Sequence, residues 1–112
     1  PASLPTGLLV NSVVRQAGLD GKAAYVLQRG DPDRGMMLVK LRGQRDDSCR
    51  LELQQRDLDG QLQWVPALPG GAPDEAKIDG YIARAQGRDP DLWVVEIEVT
   101  DSNAANPFKE IT

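Results

Sequence analysis

Hydrophobic and polar positions alternate with two different periods along this chain, and the period changes mark its elements. Leu9, Val10, Val13, Val14 and Ala17 recur at spacings of three and four, leaving Asn11, Ser12, Arg15 and Gln16 on the other side. This predicts a one-sided helix that stops near Gly18. From Ala23 the period falls to two. Tyr25 and Leu27 alternate with Val26 and Gln28, a turn follows at Gly30-Asp31-Pro32-Asp33-Arg34-Gly35, and Met37, Val39 and Leu41 then share a face, which reads as a hairpin. Cys49, Leu51 and Leu53 alternate with Arg50, Glu52, Gln54 and Arg56, the pattern of a strand with one dry and one wet face. Asp59-Gly60 signals a tight primed turn into Leu62 and Trp64, and Pro66 ends that ladder.

A loop at 68–72 leads to a second helix. Pro73 suits its first position, Asp74, Glu75 and Asp79 complement the positive end of its dipole, and Arg84 and Arg88 the other end. Its stripe is Ile78, Tyr81, Ile82 and Ala85, with Gly80 suggesting close approach to the sheet. Trp93, Val95, Ile97 and Val99 form a last strand. The expected fold is therefore α+β and two-layered: a mostly antiparallel five-stranded sheet in the order α-β-β-β-β-α-β, four strands in a meander, with both helices on one face. The chain reads as a single domain over 1–112, with a loosely ordered lead-in at 1–7 and tail at 101–112.

Composition narrows the chemistry. There is no histidine among 112 residues, which removes the commonest general base, the usual activator of a Ser or Cys nucleophile and His-containing zinc sites. One cysteine, Cys49, excludes an internal disulfide and fits a reducing compartment. No apolar run approaches the ~20 residues of a membrane span, and the start lacks a secretory pattern, so the expected location is cytoplasmic with no membrane partner. The net charge of −4 is unevenly spread: seven Lys/Arg against five Asp/Glu from 28 to 56, and four against eleven from 57 to 112. Nucleic acid is disfavoured as a partner, because the five aromatics fall mostly at core-facing positions rather than on a stacking platform.

Two groups of polar residues are candidates for a site. The triplets Asp31-Pro32-Asp33, Asp57-Leu58-Asp59 and Asp89-Pro90-Asp91 end predicted elements, where Asp31, Asp33, Asp57, Asp59, Asp89 and Asp91 would act as metal ligands if their loops converged, with Arg29 or Arg56 clamping an anion. Turn capping by Asp accounts for the same residues without a ligand. Lys40 and Arg42 in one strand, with Arg50 and Arg56 in the next, suggest a basic ladder on the wet face that meets a protein partner; Arg29 adds a loop cation. No cofactor motif is present. The expected function is a non-catalytic interaction module binding another protein or a second copy of itself as a homodimer; the rival is a carboxylate-based metal-binding protein or enzyme.

Several strings together carry a resemblance. They are Tyr25-Val26, Arg29-Gly30-Asp31-Pro32-Asp33 with Gly35, Leu38-Val39-Lys40, Arg56-Asp57-Leu58-Asp59-Gly60 with Trp64, Asp79-Gly80-Tyr81-Ile82-Ala83-Arg84, and the run from Asp89 through Trp93 to Glu98. From about Gly7 to Asp101 the chain resembles the domain-of-unknown-function family 1491, small alphaproteobacterial proteins. The resemblance implies no reaction, ligand or partner and transfers no functional residue. Gly80 stands where such proteins suggest Ala, and Val10 lies near a position often held by an aromatic.

Overall fold

The computed structural model describes residues 4–71 and 73–110, the side chain of Glu110 excepted. The elements run α1 (Thr6–Leu19), β1 (Ala24–Gln28), β2 (Met37–Gly43), β3 (Cys49–Arg56), β4 (Leu62–Pro66), α2 (Glu75–Arg88), β5 (Trp93–Val99) and a closing 3-10 turn (Pro107–Glu110). The α+β class, the five-stranded sheet and the order α-β-β-β-β-α-β are as the periodicity predicts.

Strand neighbours differ from the expectation. The sheet order is β1-β5-β2-β3-β4. Only β2, β3 and β4 form a meander; β1 and β2 are not a hairpin, because β5 lies between them, antiparallel to β1 and parallel to β2. The reason is burial. Met37–Gly43 and Trp93–Val99 are the two most apolar strands, buried along nearly their whole length, and side-by-side placement at the centre lets both faces of each be covered.

The helices consequently lie on opposite faces, not on one. Val10, Val13 and Ala17 of α1 pack with Met37, Val39, Leu41, Trp93, Val95, Ile97, Val99 and Phe108. Ile78, Ile82 and Ala85 of α2 pack with Leu38, Leu51, Leu92 and Val94 on the reverse side. A two-layer arrangement would leave Leu38 and Val94 in water. Three layers bury them.

The tail is likewise ordered through residue 110. Phe108 is fully buried, its ring 6.2 Å from that of Trp64. The segment covers the α1-side face of β3, where Asn106 Nδ2 donates to Glu52 Oε1 (2.9 Å) and Arg50 to the Ala104 carbonyl (2.5 Å). Gln54 there is only 5% exposed, so the expected wet face is largely roofed. At the other end, Thr6 and Gly7 of the lead-in begin α1, and Thr6 Oγ1 donates to the Gly35 carbonyl; residues 1–3 and 111–112 lie outside the described residues.

Turn chemistry fixes the ends of the elements. Asp74 caps α2 by accepting from the Lys77 amide at 2.8 Å. The β3–β4 turn is not the primed type: Gly60 alone is left-handed (φ 81°), and its amide donates to the Asp57 carbonyl at 3.0 Å. That is a three-residue loop closed by a glycine bulge. Gly80 does not touch the sheet; a Cβ there would meet only the Arg84 guanidinium at 3.4 Å.

Candidate functional site

The polar centre of the molecule joins Lys40 and Arg42, two of the anticipated cations, to Glu75, Asp79 and Glu96, a grouping that the sequence did not single out. Lys40 sits mid-β2 on the α2 side and is 3% exposed. Register places Glu96 of β5 beside it, and the first turns of α2 pass above. Its Nζ donates to Glu75 Oε2 and Asp79 Oδ1, each at 2.7 Å, with Glu96 Oε1 at 3.4 Å. Arg42, two residues on and on the same face, pairs with Glu75 and reaches Asp47 at 3.7 Å.

Electrostatics follow from this geometry. Burial alone would lower the Lys40 pKa, but the hydrogen bonds to Asp79 and Glu75 and the charge of Glu96 outweigh it and hold the ammonium above its usual range. The Lys40 hydrogen bond in turn holds the Glu75 carboxyl below its ordinary value. An amine stabilised in its charged form is a poor nucleophile; this cluster clasps the start of α2 to the sheet. Cys49, across from Arg42, is half-buried, and burial pushes its thiol up despite Lys40 nearby.

Beside this clasp lies a groove of about 480 Å³. Cys49 and Leu51 line it from β3, Pro66 and Leu68 from the end of β4 and its loop, and Asp74 and Glu75 from the start of α2. Here β3 overhangs its neighbour. Pairing with β4 begins only at Glu52 opposite Pro66, extended by the Ala67 amide donating to the Leu51 carbonyl. Because the Gly43 amide bonds the Ser48 carbonyl, alternation turns the N–H and C=O of Cys49 away from β2, toward the groove.

The anticipated ladder of cations is split between faces. Lys40 lies opposite Leu51, and Arg50 opposite Leu41, so Lys40 and Arg42 point to the α2 side while Arg50 and Arg56 point to the other. Arg50 is taken up by the Ala104 carbonyl and by Glu52 at 3.7 Å. Arg56 donates to the Gly60 carbonyl at 2.6 Å, and Arg29 stacks over the Trp93 ring at 5.0 Å.

The aspartates serve their own turns. Asp31 Oδ1 accepts from the amides of Arg34 and Asp33, which lowers its pKa in that order of effect. Asp57 Oδ1 accepts from Asp59 and Gln61, and Asp89 Oδ1 from Asp91. The 30–35 and 89–92 loops do meet, but through backbone: the Asp31 amide donates to the Asp91 carbonyl at 3.0 Å, and a Cβ on Gly30 would stand 2.2 Å from that oxygen. The Asp57 loop is at the far edge of the sheet. Among the described residues no group of three or more His, Cys, Asp or Glu is placed to hold a metal ion, and no helix is long and apolar enough to cross a membrane.

Comparison with known proteins agrees with this architecture. Residues 4–107 match the family described as "Protein of unknown function (DUF1491)". A crystal structure of a DUF1491 family protein from Caulobacter crescentus CB15 superposes with a TM-score of 0.79 at 35% identity, covering 95% of this chain and 94% of that one. An NMR structure of a DUF1491 family protein from the same organism gives 0.79 at 34% identity, with coverages of 96% and 94%. The solution structure of protein Atu0922 from A. tumefaciens, 22% identical, shares the fold at 0.68 over 94% of this chain and 99% of that chain. No curated protein matches the chain.

Proposed function

The chain belongs to the DUF1491 family, and from that premise we propose that it is a cytoplasmic, non-catalytic interaction module whose groove beside β3 receives an extended segment of another protein. The observation that carries this reading is the overhang of β3: beyond its last pair with β4, the N–H and C=O of Cys49 face a groove of about 480 Å³ and meet no backbone partner among the described residues. Strand addition supplies affinity through main-chain hydrogen bonds and specificity through alternate side chains. Cys49, Leu51 and Leu68 offer an apolar seat for one such side chain. The rim carries Asp47, Asp74 and Glu75 against Arg42, so a segment pairing an apolar residue with Lys or Arg is complementary. The Lys40 clasp supports the reading too, since it fixes the α2 wall of the groove before any partner arrives.

Selection from a displayed random-peptide library tests it. Enriched sequences should alternate apolar residues with at least one Lys or Arg, and a synthetic copy should shift the amide resonances of Cys49 and Leu51. Cys49 is the chain's single thiol, so alkylating it blocks the groove at one known atom and should abolish binding. Failure to enrich any sequence, or binding that survives alkylation and shifts other residues, overturns the reading.

A further inference from the structure

The groove beside β3 is open at one end and stopped at the other. β4 pairs with β3 as far as Pro66 opposite Glu52, and the Ala67 amide still donates to the Leu51 carbonyl at 2.9 Å. Ala67 therefore holds the place opposite Leu51, on the line that an added strand would follow. Leu68 comes next and packs into the α2-side core with Cys49 and Leu53, which sets the chain's own backbone against the place opposite Arg50. Only the place opposite Cys49 is left on that line. Beyond it stands Asp47, whose side chain is 94% exposed, so a chain seated beside Cys49 leaves past the turn at 44–48 into solvent.

Room for one residue decides the direction of the added chain. In antiparallel pairing a single residue both donates to the Cys49 carbonyl and accepts from the Cys49 amide. Parallel pairing divides those two bonds between residues on either side, and one of the two would fall where Leu68 stands. An antiparallel chain runs the way β4 runs, from Ala67 toward Ser48, so the residue opposite Cys49 has no space for another before it. Charge agrees with that placement. Asp47, Asp74 and Glu75 stand around the groove against Arg42, a surplus of negative charge that suits a cation.

We propose that the groove takes a free N-terminus. The first residue of a partner chain lies opposite Cys49, its ammonium donating to the Cys49 carbonyl and its carbonyl accepting from the Cys49 amide. Its side chain falls on the same face as that of Cys49 and enters the apolar seat of Cys49, Leu51 and Leu68. The other ammonium hydrogens face the carboxylates of the rim, and a Lys or Arg at the third position passes Asp47. This rests on the groove reading above and narrows the occupant from any extended segment to the amino end of one.

Amidated pentapeptides X-Ser-Lys-Ser-Gly, with Val, Leu, Met or Phe as X, test it in three forms: free amine, N-acetylated, and preceded by Gly-Ser. Titrated into the isotopically labelled full chain, at least one free-amine peptide should shift the Cys49 and Leu51 amides. Acetylation and extension should each weaken that binding at least about tenfold, through loss of a charge-assisted hydrogen bond. Acetylated or extended peptides that bind equally well at Cys49 overturn the N-terminal occupant and leave the groove reading standing. Shifts at Cys49 and Leu51 from none of the three forms overturn both.

Discussion

A lysine with 3% of its surface exposed is tolerable only where anions surround its ammonium, and Lys40 has three. Replacing it by methionine leaves Glu75, Asp79 and Glu96 facing one another. Lys40→Met should therefore lower unfolding free energy in urea by about 3 kcal/mol, the low end for breaking a buried pair, because the carboxylates keep contact with water. Arg42→Ala, at the exposed rim of the same cluster, should cost no more than about 0.5–1 kcal/mol. Two glycines make a sharper contrast. Gly60 has φ 81°, so Gly60→Ala should destabilise by about 1–2 kcal/mol. Gly18 lies inside α1 with open space where a Cβ would go, so Gly18→Ala should stabilise by up to about 1 kcal/mol in the same assay.

At the scale of elements, periodicity told which residues share a face and was silent about which strands are neighbours. The clean alternation of Cys49, Leu51 and Leu53 correctly faced them toward a core. Nothing in an alternating pattern says that β5 enters between β1 and β2. A trace of it was nonetheless present: Met36–Leu41 and Leu92–Val95 are nearly continuous apolar runs, the mark of strands buried on both faces, and a lone Lys40 inside one of them flags a charge that must find partners in the fold. The Asp triplets misled in the other direction, since turn capping and metal ligation ask for the same residue type. The tail was hidden because its two large apolar residues, Phe108 and Ile111, are too few to set a period. Its contribution is measurable: Phe108→Ala empties a fully buried position against Trp64 and should cost about 3–4 kcal/mol, read as a lower urea midpoint with an unchanged slope.

For the whole molecule, the shifted carboxyls set the pH response. Glu75, Asp31 and Asp46 are held below their ordinary values of 4.5, 3.8 and 3.8, Asp46 by the Ser48 hydroxyl and then the Ser102 amide. A depressed carboxyl adds stability above its unfolded pKa and loses it as pH falls through the folded one. Lys40, raised above 10.5, adds stability fully below that value and loses it only as pH rises through its higher folded pKa. Cys49, whose thiol burial raises above 9.0, draws stability down once the pH passes that value, so stability should be flat from about pH 5 to 8 and fall steeply below about pH 4. Urea titrations across that range should show it, and Lys40→Met should flatten the acid limb by releasing Glu75.

The central position of β5 also governs how the chain comes into being. During synthesis β1 and β2 emerge long before the strand that belongs between them, so a nascent polypeptide ending before Trp93 holds two halves of a sheet with a vacant slot. Closure waits for contacts far apart in sequence, which slows folding and prolongs the exposure of Val39, Leu41 and their neighbours to rival strands. Emergence of Trp93–Val99, rather than any earlier moment of translation, is thus when this protein can close its core.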